Sequence, residues 1–207
     1  MSTDAPKRGY HHGNLRAALV DAALELIEER GSTAFTFAEL ARKADVSPAA
    51  PYRHFKDREA LIQEIARIGF LALAELLEDA WARHQPSAIR AFDAVTAGYL
   101  DFARRERAHF TVMFQTDLAE RAPKLEEAGE RAFAVLHRAC GALVDERGGS
   151  TPPPVSMMSQ HIWALSHGIA QLFGTPGRTR PSQIQASEML EAATGIYLRG
   201  LGLIDPD

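Results

Sequence analysis

Two helix-start signals stand so close together that the helix between them can be only about two turns long. Thr36, with Glu39 three residues on, makes a capping box, and Ser47 followed by Pro48 makes an N-cap with proline at the first helical position. The first signal predicts a helix over 37–44 and the second a helix over 48–55, leaving Asp45 and Val46 for the turn. Upstream, Asn14 caps a run in which Leu15, Leu19, Ala22 and Leu26 recur at helical spacing until Gly31 stops it. Three helices within the first 55 residues, with so short a turn between the second and third, match a helix-turn-helix.

The rest of the chain also reads as helix. Asp57 caps a long helix that runs to about residue 84. Residues 87–105 are amphipathic, with Ile89, Phe92, Val95, Tyr99 and Phe102 on one side. A short apolar segment over 109–118 and a long helix over 123–146 follow. Gly148-Gly149-Ser150-Thr151-Pro152-Pro153-Pro154 breaks the pattern as a loop, and two last helices, 155–173 and 181–203, flank a second break at Gly174-Thr175-Pro176-Gly177. No period-2 alternation and no internal repeat are present, so the expected fold is all-α.

Charge divides the chain. The 207 residues carry a net charge of −4, a balance that by itself argues against a partner as acidic as nucleic acid. Residues 1–56, however, hold 8 Lys/Arg against 7 Asp/Glu, and residues 57–207 hold 15 against 20. The expected organisation is a small basic-faced module over 1–56 joined by a long helix to a larger acidic one over 57–207. No stretch approaches the roughly 18 uninterrupted apolar residues of a membrane span, so no membrane is expected. The polar opening, 1–12, has no signal-peptide core, so a cytoplasmic protein is expected. One cysteine, Cys140, excludes an intramolecular disulfide framework and a multi-thiolate metal site.

The local chemistry of the third helix suits a nucleic-acid groove. Ser47 and Pro48 stand where backbone N–H groups are free at a helix start, a natural place for a phosphate. Ala49 and Ala50 are small enough to let the helix approach base edges and touch thymine methyls. Tyr52, Arg53, His54 and Lys56 add hydroxyl, guanidinium, imidazole and ammonium donors for backbone oxygens. Composition alone favours a plainer reading, a short surface helix with a solvated charge run.

The order of the residues goes further. Leu40-Ala41-Arg42-Lys43-Ala44-Asp45-Val46-Ser47-Pro48-Ala49-Ala50-Pro51-Tyr52-Arg53-His54-Phe55, continuing into Arg58-Glu59-Ala60-Leu61, closely resembles the DNA-binding region of TetR-family transcriptional regulators. Tyr10-His11-His12-Gly13-Asn14-Leu15-Arg16 resembles the opening of one branch of that family, and Trp163-Ala164-Leu165-Ser166-His167-Gly168 resembles the Trp-His-Gly signature of that branch's C-terminal domain. The resemblance implies that Thr36 and Ser47 cap their helices and touch phosphates. It implies that Tyr52, His54 and Arg58 (where the family usually has Lys) grip the backbone, and that Ala49 and Ala50 face bases. Lys7 and Arg8 resemble a flexible arm for the flanking minor groove. Two positions depart from the pattern. Asp45 stands where a turn glycine is common, and Pro51, where an aliphatic residue is usual, removes a backbone donor, so a short, irregular recognition helix is expected. Base readout is then expected to be sparse, with specificity leaning on the arm, Arg53 and DNA shape.

The C-terminal part suggests assembly and a ligand. The helix 155–173 is apolar nearly all round, which demands cover on both sides, and the last helix places Ala186, Ala193 and Gly200 seven apart beside Met189, Leu190, Ile196 and Tyr197. With Met158, Ile162 and Ile169 these form the expected homodimer interface, two helices from each subunit, although an intramolecular bundle also satisfies the pattern. A two-fold protein presents two recognition helices about 34 Å apart and reads a palindromic operator in double-stranded DNA. The family resemblance further implies an internal cavity for a small-molecule effector. Candidate walls are Phe92, Tyr99, Phe102, Phe110, Met113, Phe114, Phe133, His137, His161, Trp163 and His167, suited to a mostly apolar ligand, with Trp163 and His167 foremost; each could instead be simple core.

No catalytic site is expected. The chain lacks a Gly-Lys-Ser/Thr phosphate loop, a Gly-x-Ser-x-Gly elbow and a His-Glu-x-x-His pair. His137 and Cys140 share a helix face but have no third group, and His161 and His167 lie on different faces, so no metal and no cofactor are expected. The resulting expectation is a ligand-responsive regulator of transcription, a repressor released from DNA when its effector moves the helix 57–84.

Overall fold

A computed structural model describes residues 15–115, 122–148, 153–173 and 185–205 of the chain. Among the described residues there are nine helices and no strand: α1 (Leu15–Arg30), α2 (Phe37–Lys43), α3 (Ala50–His54), α4 (Arg58–Arg83), α5 (Ala88–Arg105), α6 (Arg107–Met113), α7 (Pro123–Arg147), α8 (Val155–Phe173) and α9 (Ala186–Gly200). They fall into two compact units, Met1–Ile62 and Gln63–Asp207, so the division lies inside α4, six residues beyond the break expected from the charge distribution.

In the first unit α1 packs on α2 and α2 on α3. Leu19, Ala23, Leu26 and Ile27 of α1 and Phe37, Leu40 and Ala41 of α2 fill its interior. Gly31 ends α1 in the left-handed region, at φ +65°, where a residue without Cβ is unstrained, and donates its N–H to the Ile27 carbonyl at 2.8 Å. The capping box is present. Thr36 Oγ1 accepts from the Glu39 N–H at 3.2 Å, and a Glu39 carboxylate oxygen accepts from the Thr36 N–H at 2.8 Å. Asp45 takes φ +53°, the conformation the missing turn glycine would have supplied.

The third helix is shorter than expected. Pro51 has no N–H to bond the Ser47 carbonyl, which accepts instead from Ala50 at 2.9 Å in a tight turn, and regular helix begins only at Ala50. Ala49 then occupies the N-cap with no side-chain cap, so the capping role expected of Ser47 is not realised. Asp57 does cap α4: its carboxylate accepts from the Ala60 N–H at 2.8 Å.

The second unit is built on α5, whose stripe Phe92, Val95, Tyr99 and Phe102 is buried, and which packs on α6, α7, α8 and α9. Polar ties reinforce the bundle. Glu78 of α4 holds Arg131 of α7 through two bonds of 3.1 and 2.8 Å, and Glu146 at the end of α7 accepts the Ala88 N–H at the start of α5 at 3.3 Å. Gly69 lets α4 and α6 touch: a Cβ there would lie 2.8 Å from Met113 Sδ and 3.1 Å from His109 Cβ. Buried Thr96, Ser159 and Thr194 bond back to carbonyls on their own helices, so they are satisfied locally. The short helix expected over 109–118 is Arg107–Met113, and the last helix, expected from 181, starts at Ala186 among the described residues. Cover on α8 is one-sided: Met158, Ile162, Ile169 and Ala170 are buried, whereas Met157 and Leu172 are 42% and 55% exposed.

Candidate functional site

The first unit sorts the residues expected to meet DNA into three groups. Ser47, Ala49, Tyr52, Arg53, His54 and Lys56 are exposed. Ala50 is buried with Pro51, so it has almost no surface to offer a base edge. Thr36 is exposed but engaged in its cap. Tyr52 sets its ring edge-on to Phe37 with centroids 4.9 Å apart, which holds the 65%-exposed side chain beside the start of α2. Lys7 and Arg8 lie outside the described residues.

Four of the seven described cations of this unit, Arg16, Arg30, Lys43 and Arg58, are held within it. Arg16 lies over the Phe55 ring at 4.7 Å. Arg30 pairs with Glu39 at 2.7 Å, and that guanidinium, with the Thr36 backbone, pulls the Glu39 carboxyl down to about 2. Lys43 bridges Glu25 at 3.0 Å and Glu29 at 2.6 Å, neutralising acids that bunch on α1. Arg58, expected at a phosphate, donates to the Thr33 carbonyl at 2.6 Å and ties the first turn of α4 to the loop before α2. No described residue pairs with Arg42, Arg53 or Lys56. The surface left with uncommitted positive charge is therefore the one carrying α3 and the end of α2.

In the second unit rings from four helices meet. Tyr99 of α5 stands 5.1 Å from Trp163 and 5.8 Å from Phe110, centroid to centroid. Phe114, just past α6, lies 4.2 Å from His167, and Phe133 of α7 lies 5.6 Å from Trp163. Trp163 and His167, four apart on α8, thus share this cluster, and the Tyr99 hydroxyl and His167 Nδ1 are hydrogen-bonded at 3.0 Å. Burial pushes the Tyr99 phenol up and the His167 imidazole down, so both are neutral at pH 7. The cluster is a mostly apolar, half-buried surface with one neutral polar pair in it. Phe92, Phe102 and Met113 are buried core side chains of α5 and α6. His137 is exposed on α7, and His161 points away, bonding Tyr197 of α9 at 2.9 Å. Phe70 of α4, not among the expected walls, joins through Phe114 at 5.6 Å; its signal was the spacing of Ala66, Phe70, Leu73 and Leu77, all buried.

Comparison with known proteins agrees with this geometry. Residues 19–65 match the family model described as bacterial regulatory proteins, tetR family, and residues 92–194 match the tetracyclin repressor-like C-terminal domain. The chain belongs to the TetR family. It is a DNA-binding transcriptional regulator by that membership. A solved protein of unknown function from Rhodococcus sp. RHA1 is 31% identical over 95% of this chain and 100% of its own, with a TM-score of 0.80. The TetR-family regulator PfmR from Thermus thermophilus shares the fold at a TM-score of 0.68 and 19% identity, over 87% of this chain and 97% of its own. The HTH-type transcriptional regulator BetI of Rhizobium meliloti (strain 1021) is 45% identical over 73 residues, 35% of this chain, and the match takes in only 34% of BetI.

The TetR-family fold also places the remaining expected residues. Of those expected between subunits, Met158, Ile162, Ile169 and Leu190 are buried inside the single chain, since a helix apolar nearly all round must commit one face to its own core. Ala186, Met189, Ala193 and Tyr197 are half-buried, Gly200 is exposed, and Ile196 is 67% exposed. No described atom lies within 4 Å of where a Cβ would stand on Gly168 or Gly200, so neither glycine serves close approach within the chain. Cys140 is fully buried and its thiol is pushed up to about 12 by desolvation, which keeps it protonated and unreactive. Among the described residues no group of three His, Cys, Asp or Glu could hold a metal ion, and no helix is long and apolar enough to cross a membrane.

Proposed function

We propose that this TetR-family regulator is a ligand-responsive repressor that binds a palindromic operator as a homodimer and is released by a small, mostly apolar effector. The observation that carries the reading is the exposed face of α3. Ala49, Tyr52 and Arg53 stand together there with Lys56 just beyond, behind a turn that Asp45 holds in a left-handed conformation. In this reading Tyr52, His54 and Lys56 grip phosphates, Ala49 and Arg53 face bases, and Lys7 and Arg8 form a minor-groove arm. Residues 1–56 are the reading head, and 57–207 bind effector and dimerise.

Dimerisation is supported by the apolar side chains left uncovered on α8 and α9, namely Met157, Leu172 and Ile196, and by the open space over Gly168 and Gly200. The effector is supported by the rings around Tyr99 and His167, which suit an apolar body carrying one neutral hydrogen-bonding group. Such a ligand shifts the dimer off its operator only by its differential affinity for the two forms.

Selection of bound sites from random duplex DNA, followed by gel shift over a range of salt, tests this reading. The expected result is a palindromic site whose binding weakens steeply as salt rises and is relieved by apolar ligands. Absence of any sequence-selective, salt-sensitive binding sinks it.

A further inference from the structure

Apart from Arg53 and the exposed imidazole of His54, which the operator-binding reading places at a phosphate, the outward side of α3 offers base edges very little chemistry. Pro48 and Ala49 have no side-chain donor or acceptor, and Ala50, Pro51 and Phe55 face the interior. Tyr52 is held by its edge contact with Phe37 at the start of α2. Lys56 lies past the helix, beyond the extended Phe55 at φ −134°, and carries a compact point charge rather than a fork. Arg53 lies four residues on from Ala49, one turn along the same side of α3. It is exposed, and no described residue engages it, although neighbouring cations of the unit are taken up by Phe55, Glu39, Glu25, Glu29 and the Thr33 carbonyl. Among the described side chains on α3, Arg53 alone can place two parallel N–H donors on one base.

A guanidinium fork matches one base edge best. Guanine presents O6 and N7 side by side in the major groove, both acceptors, and no other base does. We propose that each operator half-site carries a guanine and that Arg53 reads its O6 and N7 through a bidentate contact. The inference rests on the operator-binding reading and adds the base that is read.

The test uses the full chain. Sites are selected from random duplex DNA with the wild type, with Arg53→Ala and with Lys56→Ala, and the enriched duplex is then tested with 7-deazaguanine, which lacks the N7 acceptor, at the candidate position. The wild type should enrich one guanine per half-site. Arg53→Ala should level that position, leave the other enriched positions in place, and lower affinity for the wild-type site about tenfold or more. 7-Deazaguanine should weaken the wild type and leave Arg53→Ala indifferent. Lys56→Ala should weaken all sequences alike and reduce the salt slope by about 1. Circular dichroism checks that Arg53→Ala is folded. A guanine still selected by Arg53→Ala overturns the inference, as does an equal loss on sites with and without guanine, which would make Arg53 a phosphate contact. A wild type that selects no sequence brings down the operator reading as well, whereas a selected site indifferent to Arg53 brings down the inference alone.

Discussion

At Asp45 the backbone sits at φ +53°, where most side chains crowd the following carbonyl. Aspartate tolerates this better than a β-branched residue, which lets the chain turn there between α2 and α3. Asp45→Gly should therefore leave stability within about 1 kcal/mol, since relief of strain offsets added chain freedom. Asp45→Val should lower it by roughly 1–2 kcal/mol. Urea denaturation measures both, and equal losses would mean that the aspartate side chain, rather than the backbone angle, is what the turn requires. Residues of this kind were legible in advance, because capping and turn chemistry act over three or four positions: Thr36 with Glu39, Gly31 and Asp45 each behave as their neighbours dictate. Ser47 was not, because its cap depended on a helix start that the missing Pro51 N–H displaced.

Helix contacts depend on which side chains meet, and glycines on α4 and α7 illustrate two outcomes of one sequence signal. Gly69 faces Met113 and His109 so closely that Gly69→Ala should destabilise the chain by about 1–3 kcal/mol through overpacking. At Gly129 an added Cβ would meet only the Phe70 ring, at 3.9 Å, so Gly129→Ala should stabilise it by roughly 0.5–1 kcal/mol. Thermal or urea melts separate the pair, and a stabilising Gly69→Ala would mean that α4 and α6 are not locked as described. The amphipathic stripe of α5 was readable as a core face because its period is strict. The faces of α8 were not, because Met157 and Met158 look alike in a run apolar nearly all round, and only neighbouring helices determine which is buried.

For the whole molecule, the uncovered side chains on α8 and α9 bear on assembly. If they form the homodimer interface, Leu172→Glu combined with Ile196→Glu should give a monomer by sedimentation velocity and lower operator affinity at least about tenfold, since one recognition helix then binds alone. Both residues are exposed, so the chain itself should stay folded; an intact dimer would place the interface elsewhere. The amino-acid sequence by itself determined the all-helical class, the short helix-turn-helix and the uneven charge, because capping, periodicity and composition are local or summed properties. Tertiary structure alone decided the rest. It took Ala50 out of the reading face, assigned Arg58 to a carbonyl, left Arg53 without a described partner, and brought Tyr99, Phe114, Trp163 and His167 together from α5, α8 and the end of α6. The physical reason is that burial and pairing belong to surfaces that meet only after folding, and residues as far apart as Tyr99 and His167 share no signal along the chain.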